Sequence, residues 1–214
     1  MDPWERNRGR SKISMRLELH VITDDSVLSH RNFIANATGV LTSGVVKVFH
    51  LRGPGTSLRK LVELAEALSP IAKTNGTKFV VNDRVDLALM YQTDGVHLGA
   101  RSLPPEKVRE MLGPEKIIGR SVHSVQEGVD LSLGGVDYLF LGSIFRTSSH
   151  PETVPLGLDP LEKLTTRVKV PVIAIGGVDP TRVSTLYEAG AKGVAVLGDI
   201  WGSPSPPQAV LSYQ

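Results

Sequence analysis

The stretch PVIAIGGVDPTRVSTLYEAGAKGVAVLGD, residues 171–199, holds a strand, a helix and a second strand in succession and decides the fold class. Its two apolar, β-branched runs, at 171–175 and 193–197, predict strands, and the segment 180–189 between them predicts the connecting helix. Alternation of strands and helices is typical of a parallel sheet whose crossovers are helical.

The same unit recurs along the chain. We predict eight strands, at 16–22, 45–51, 78–82, 95–98, 117–122, 137–141, 171–175 and 193–197. We predict helices at 30–43, 57–72, 84–91, 104–112, 124–133, 158–166 and 180–189, and a last one from about 205. Eight such pairs predict an α/β protein with a single (β/α)8 TIM barrel over residues 15–214, because a doubly wound sheet of this length would show fewer strands.

The composition excludes several classes of protein. The chain has 214 residues, of which 41% are hydrophobic, and this is enough for one domain. It has no cysteine, which excludes disulfides, cysteine nucleophiles and thiolate zinc sites. No apolar run is long enough for a membrane span. We therefore expect a soluble, cytoplasmic protein that binds no membrane.

The basic excess lies in a polar N-terminal extension, residues 1–14, which we expect to be disordered. Four basic and two acidic residues lie there, so the totals of 24 and 22 leave 20 of each in the remaining chain. A balanced body gives no reason to expect a nucleic acid partner.

In a TIM barrel the chemistry lies where the strands end at their carboxyl side. Gly176 and Gly177 end strand seven, and Leu197 and Gly198 end strand eight. Glycines let backbone N–H groups approach a ligand, so the pair of strand ends predicts a phosphate site. The alternative is that the glycines only turn the chain. Lys192 is either a helper of this site or a solvated surface residue.

His123 follows strand five, within the segment GRSVHSVQEG. A neutral imidazole can take up and return a proton near pH 7, which suits general acid and base catalysis. From the residues alone, a histidine bonded to a neighbouring loop is an equal alternative. Ser124 and Glu127 have the spacing of a capping box for the next helix.

Other polar residues lie at predicted strand ends. Arg52 is suited to a carboxylate or a phosphate because its guanidinium binds such groups with two hydrogen bonds. Asn82 and Asp83 end strand three, where Asn82 could bind ligand and Asp83 is expected to cap the next helix. Asp24 and Asp25 are interpreted as helix-entry residues, with site carboxylates as the alternative.

Two histidines lie within predicted strands. We expect His97 to be packed or to face the barrel pore, and His20 to be structural. The sequence lacks metal-binding motifs of the H-E-x-x-H and EF-hand types, a Walker loop and a G-x-G-x-x-G turn after a strand. We therefore expect no metal site and no cofactor.

Eight segments carry a resemblance to a known family. They are LHVITDDS, VFHLR, VVNDRVDLAL, DGVHLGARSLP, IIGRSVHS, DYLFLGSIFRTSS, VPVIAIGGV and AGAKGVAVLGDI. In this order they resemble the thiamine phosphate synthase and TenI superfamily over residues 17–203.

The resemblance separates into two branches. The synthase branch usually has Q-x-R-x-K after strand two, a carboxylate after the G-V-H-x-G strand and T-x-x-K after strand six. In this chain those places hold His50, Arg52 and Pro54, then Ser102, then Thr147 and His150. Residues shared with the synthase pattern are Arg52, Asn82, Asp83, Ser121 and Thr147. The missing carboxylate and lysines argue against pyrophosphate chemistry, because a metal and lysines together offset the charge of that leaving group.

The TenI-like branch is more similar, through His-x-Arg on strand two and GRSVHS on strand five. It implies a cofactor-independent isomerase, a thiazole tautomerase that aromatises a thiazole carboxylate phosphate for thiamine biosynthesis. His123 matches the catalytic histidine, while Gly177, Leu197 and Gly198 would hold the phosphate and Arg52 would orient the carboxylate. The alternatives are a thiamine phosphate synthase, a non-catalytic regulatory barrel that binds a thiamine-related phosphate, and an unrelated phosphosugar isomerase.

The segment GSPSPPQAVLSYQ, residues 202–214, is short and proline-rich for a final helix. We expect the barrel to close poorly there. Trp201, Val210 and Leu211 would then be exposed and available for a homodimer contact.

Overall fold

Eight parallel strands form a closed barrel in the computed structural model, which describes residues 17–91, 93–149 and 151–214. Each strand pairs with the next along the chain, and the eighth pairs with the first. The strands are β1 (Glu18–Ile22), β2 (Val46–Leu51), β3 (Lys78–Asn82), β4 (Gly95–Leu98), β5 (Ile117–Val122), β6 (Tyr138–Gly142), β7 (Val172–Ile175) and β8 (Gly193–Val196). The predicted TIM barrel is confirmed. The predicted N-terminal extension and His150 lie outside the described residues.

Helices connect the strands around the outside of the barrel. They are α1 (Asp25–Ser29), α2 (Phe33–Leu41), α3 (Leu58–Thr74), α4 (Val85–Met90), α5 (Pro105–Leu112), α6 (Val125–Leu131), α7 (Asp159–Thr165), α8 (Val183–Glu188), α9 (Gly198–Trp201) and α10 (Pro206–Ala209). Short 3₁₀ turns, Pro180–Arg182 and Val210–Tyr213, precede α8 and follow α10. The longest helix, α3, begins at its N-cap Ser57, whose hydroxyl accepts a hydrogen bond from Lys60 N.

The predicted helix at 30–43 is observed as α2, and the short helix α1 precedes it where no helix was predicted. Asp24 is the N-cap of α1 and accepts from Val27 N at 2.9 Å, so its interpretation as a helix-entry residue is confirmed. His30 has extended backbone, which ends α1 before α2 begins. Asp25 is the first residue of α1, and its carboxylate also accepts from Gly55 N and from the Thr56 hydroxyl in the loop after β2.

The expectation of a poorly closed C-terminal edge is wrong. Val210 is fully buried, and the indole N–H of Trp201 donates to the Ile22 carbonyl oxygen at 2.7 Å. Pro207 packs closely against Gly39 of α2. Trp201 and Val210 therefore pack against the chain's own barrel, because the proline-rich segment folds back as α10. Of the three residues predicted to be exposed, only Leu211 is substantially exposed.

Within residues 17–91, 93–149 and 151–214, no helix has the length and apolar character needed to cross a membrane.

Candidate active site

The carboxyl ends of the strands meet at one end of the barrel, which is termed the mouth below. The consecutive parallel order brings Arg52, Asn82, His123, Gly177 and Gly198 to this end from five different strands. Catalytic and binding residues of this fold lie at the same end. The structure thus places the predicted site residues on one rim.

His123 is held by two hydrogen bonds just beyond β5. Its Nδ1 lies 2.8 Å from the carbonyl oxygen of Gly142, and its backbone N–H donates to Glu127 Oε2 at 2.7 Å. A carbonyl oxygen only accepts, so Nδ1 carries the proton and Nε2 of the neutral ring keeps its lone pair. The side chain is exposed, which leaves Nε2 able to take up a proton from a ligand.

The predicted capping box after His123 is confirmed with a small change. The Ser124 hydroxyl accepts from Glu127 N at 3.2 Å, as expected for the N-cap of α6. The Glu127 carboxylate accepts a hydrogen bond from the N–H of His123 rather than from that of Ser124. The cap therefore also fixes the backbone that carries the imidazole.

Three histidines lie inside the barrel beneath the mouth. His20, His50 and His97 are almost fully buried, and their rings contact one another and the ring of Tyr138 although they come from different strands. Such contacts are possible only for side chains that point to the barrel axis. The expectations for His97 and His20 are confirmed, whereas the inward position of His50 was not foreseen.

A chain of hydrogen bonds joins the first two histidines to the rim. His20 Nδ1 lies 3.0 Å from His50 Nε2, and His50 Nδ1 lies 3.3 Å from Asn82 Oδ1. Burial lowers the pKa of His50 to about 3, and burial also holds the pKa of His20 well below its ordinary value. Both rings are therefore neutral at pH 7.

A second chain runs through His97. Its Nδ1 lies 3.0 Å from the Tyr138 hydroxyl, and its Nε2 lies 2.8 Å from the Ser121 hydroxyl. Burial is the main cause that lowers the pKa of His97, and the positive charges of Arg120 and Arg52 add to it. Burial raises the pKa of Tyr138, so its phenol keeps its proton. Ser121 is thus connected to the barrel interior as Asn82 is.

Arg52 faces the mouth from β2 and is half-buried. Its backbone is fixed because its N–H donates to the Thr23 hydroxyl, which in turn donates to the Arg52 carbonyl, each at 2.9 Å. Within the described ranges, its guanidinium has no hydrogen bond and no ion pair. A free guanidinium at this place suits an anionic ligand.

Asp83 does not cap α4 as expected. The N-cap of α4 is Arg84, whose side chain does not cap the helix, whereas the Asp83 carboxylate accepts from Gly99 N at 2.8 Å and from the Ser102 hydroxyl. Asp83 has a φ of 62°, which turns its side chain to the loop after β4. In the part of the chain that the structure describes, no three carboxylate or imidazole side chains are grouped as metal ligands.

The glycines after β7 are required by a close contact. A Cβ on Gly177 would lie 2.3 Å from the Arg146 carbonyl oxygen, and one on Gly176 would lie 2.5 Å from Ser143 Cβ. Both have positive φ angles, 98° for Gly176 and 63° for Gly177. These glycines thus at least turn the chain and admit the loop after β6.

The end of β8 is open by contrast. A Cβ on Gly198 would meet nothing within 4 Å. Leu197 and Gly198 border an open cavity of about 320 Å³, which is also lined by Asp24, Ser148 and Ser149. Thr147 is half-buried in the same loop, and its hydroxyl accepts from Ser149 N at 3.3 Å.

Lys192 is exposed and precedes β8, at the opposite end of the barrel, so it cannot help at the mouth.

Comparisons with known proteins agree on the family. The family model described as thiamine monophosphate synthase, TMP-TENI, matches residues 19–200. A thiamine-phosphate synthase of Roseiflexus sp. (strain RS-1) is 37% identical over 192 residues, which are 89% of this chain and 81% of that protein. A thiamine-phosphate synthase of Moorella thermoacetica is 36% identical over 187 residues, 87% of this chain and 89% of that protein.

Solved structures give the same result. The thiamine phosphate pyrophosphorylase of Pyrococcus furiosus has a TM-score of 0.81 and 32% identity, and the match covers 92% of this chain and 93% of that chain. A 3-hexulose-6-phosphate synthase with 16% identity and a TM-score of 0.66 shares the fold alone. The chain therefore belongs to the TMP-TENI family of thiamine monophosphate synthases, a family of enzymes of thiamine biosynthesis.

Proposed function

We propose that this chain is a thiazole tautomerase, an isomerase that aromatises a thiazole carboxylate phosphate without a cofactor. The observation that carries the proposal is the hydrogen bond from His123 Nδ1 to the Gly142 carbonyl, which leaves a basic Nε2 at the mouth. One imidazole in a fixed tautomer is sufficient for a reaction that only moves a proton.

The reaction balances without any further reactant. Nε2 of His123 removes the proton from ring carbon C2 of the tautomer, and the resulting imidazolium returns a proton to the exocyclic carbon of the alkylidene group. The double bonds shift into the ring, which becomes aromatic, and the neutral imidazole is restored. Aromaticity supplies the driving force, so the protein has to supply only placement and one base, the latter worth about 10²–10⁴ in rate.

The phosphate of the substrate would lie at the ends of β7 and β8. The first hydrogen bond within α9 runs from Trp201 N to the Leu197 carbonyl at 3.0 Å. The N–H groups of residues 198–200 precede it and have no acceptor within the helix. With the open space at Gly198, they support phosphate binding by the backbone amide of Gly198, and Leu197 is the N-cap residue directly before it. Gly176, Gly177 and Thr147 would complete this side.

The carboxylate of the substrate would lie on the other side of the mouth. Arg52 supplies a cation there, and Asn82 and Ser121 supply polar groups from β3 and β5. In this arrangement the substrate spans the mouth between its two anionic groups, with its ring beside His123. This placement follows the order of the strands around the barrel.

The second candidate function is thiamine phosphate synthase, which the names of the relatives favour. Synthase chemistry on a pyrophosphate implies magnesium and, from the pattern of that branch, a second carboxylate at the place of Ser102. Ser102 instead donates a hydrogen bond to Asp83, which leaves one carboxylate where two are implied. His50 and Pro54 also replace residues of the synthase pattern. The donor set of this chain therefore does not fit the implied metal centre.

Two assays on the purified protein separate these functions. In the first, the thiazole tautomer is added without metal, and the absorbance of the aromatic product is followed against a protein-free control. In the second, a pyrimidine pyrophosphate and thiazole phosphate are supplied with and without magnesium. We expect aromatisation in the first and no coupling in the second. Magnesium-dependent coupling without aromatisation would establish the synthase, and ligand binding without either turnover would indicate a regulatory barrel.

A further inference from the structure

The hydrogen bonds beneath the mouth determine which atoms of Asn82 face the ligand. Asn82 Oδ1 accepts from His50 Nδ1, because an amide oxygen has no proton to donate. His50 Nε2 then carries no proton and accepts from His20 Nδ1. The amide nitrogen of Asn82 is directed away from His50, and it has no acceptor among the residues that the structure describes.

The order of these bonds is also the less costly one. In the observed order, the hydrogen bonds that join His20, His50 and Asn82 leave one buried ring nitrogen without a partner among the described residues, His20 Nε2, and this atom holds a lone pair. With the Asn82 amide reversed, its nitrogen would donate to His50 Nδ1, and His50 Nε2 would donate to His20 Nδ1. His20 Nε2 would then carry a buried proton without an acceptor. A buried donor left unpaired carries the full cost of its lost water contact. The two buried rings thus hold the amide in one orientation.

Ser121 is oriented by the same kind of argument. The phenol of Tyr138 keeps its proton, and the acceptor that the structure gives it is His97 Nδ1. His97 Nε2 therefore carries the proton of that ring and donates to Ser121 Oγ at 2.8 Å. Ser121 thus accepts a hydrogen bond from inside the barrel, so its own hydroxyl proton can be donated to a ligand at the mouth.

Positive charge lies on this side of the mouth. Arg52 follows β2, next to the strand that carries Asn82, and its guanidinium has no hydrogen bond and no ion pair among the described residues. Arg120 lies on the outer face of β5, because its neighbours Gly119 and Ser121 both face the barrel axis. One cation and two oriented donors favour a group that only accepts hydrogen bonds and carries negative charge.

We propose that His50 and His97 are positioning residues that fix Asn82 and Ser121 as hydrogen-bond donors and thereby make this side of the mouth a subsite for a carboxylate. The choice of carboxylate rests on the proposed function, in which the phosphate lies across the mouth at Leu197 and Gly198. Neither histidine touches the substrate.

The test measures binding rather than turnover. Two ligands are titrated by calorimetry, namely the aromatic thiazole carboxylate phosphate and the thiazole phosphate that lacks the carboxylate. The readout is the ratio of their two dissociation constants, since a general loss of structure would weaken both ligands alike. The proteins compared are the wild type, His50→Leu and His50→Gln.

We expect the wild type to bind the carboxylated ligand about ten- to hundredfold more tightly than the thiazole phosphate. This ratio corresponds to the free energy of one hydrogen bond to a charged group. His50→Leu removes the donor that holds Asn82, and we expect it to lose most of this preference while it still binds the other ligand. His50→Gln can accept from His20 and donate to Asn82, so we expect it to keep the preference.

An unchanged preference in folded His50→Leu would overturn the proposal, as would equal binding of the two ligands by the wild type. If His50→Leu does not fold, Asn82→Asp replaces the proposed donor with a like charge and must abolish the preference, and an unchanged ratio would again overturn it. A wild type that binds both ligands equally but aromatises the tautomer refutes this inference alone. A wild type that binds neither ligand refutes the proposed function as well.

Discussion

Acid should unfold this protein through the histidines inside its barrel. Burial lowers the pKa of His50 from 6.5 to about 3, and burial holds the pKa of His20 and of His97 well below 6.5. In the unfolded chain each ring takes up a proton as the pH falls below 6.5, whereas the folded chain keeps it neutral. Stability is therefore full above pH 6.5 and is lost as the pH falls from there towards the folded pKa values.

The size of the effect follows from the number of rings. Each ring that is charged only in the unfolded chain removes about 1.4 kcal/mol of unfolding free energy per pH unit. For His50, whose folded pKa is about 3, the loss amounts to about 3 kcal/mol at pH 4. Burial of His20 and His97 acts in the same direction. Domains of this size are commonly stable by about 5–15 kcal/mol, so we expect a large loss of stability below pH 5.

Urea unfolding at several pH values, followed by circular dichroism, measures this slope. Carboxylates also titrate in this range, so the informative quantity is the difference between the wild type and His50→Gln. We expect that difference to change by about 1.4 kcal/mol per unit between pH 6 and 4, in favour of His50→Gln. His30 is exposed, so His30→Gln is the matched control and should leave the slope unchanged. If His50→Gln and the wild type lose stability with the same slope, His50 is not a source of the acid sensitivity.

Two further predictions concern the mouth and the C-terminal edge. Gly198→Asp places a negative charge in open space where the phosphate is proposed, so it should weaken binding of thiazole phosphate at least about tenfold while Gly198→Ala binds normally; calorimetry that shows equal affinity in both variants would remove Gly198 from the phosphate site. Trp201→Phe keeps an aromatic ring but leaves the Ile22 carbonyl without its donor, so the free energy of unfolding should fall by about 1–3 kcal/mol in urea titration; unchanged stability would show that the bond does not hold the C-terminal edge.

The strands were predictable because each is a short local signal. β3, β4 and β5 begin and end at the predicted residues, since an apolar, β-branched run followed by a polar residue marks a strand without reference to the rest of the chain. The short helix α1 was not predicted in the same way, because its five residues are too few to show a helical period.

The C-terminal edge required tertiary information. Val210 and Trp201 are apolar residues in a proline-rich segment, and the sequence alone does not say what covers them. α2 and the end of β1 supply the covering surface, from more than 150 residues away along the chain.

The site was predictable at the rim and not beneath it. The position of His123 and Asn82 at the mouth was predictable because residues at the carboxyl end of a barrel strand lie there. The contacts of His50 inside the barrel were not predicted, because alternation along one strand gives the direction of a side chain but not the residues at the same height on other strands. One signal was present in the sequence. His20 lies two residues before the end of β1, and His50 and His97 each lie one residue before the end of β2 and β4. The loop contact of Asp83 with Ser102 depends on a positive φ that an aspartate seldom adopts.

Turnover of the thiazole tautomer by His123→Gln, compared with the wild type, tests the central claim most directly. Glutamine keeps an N–H that can donate to the Gly142 carbonyl, but it has no basic nitrogen to replace Nε2. We expect the rate of aromatisation to fall by about 10²–10⁴ while binding of the aromatic product is unchanged. A folded His123→Gln protein that aromatises the tautomer at the wild-type rate would contradict it.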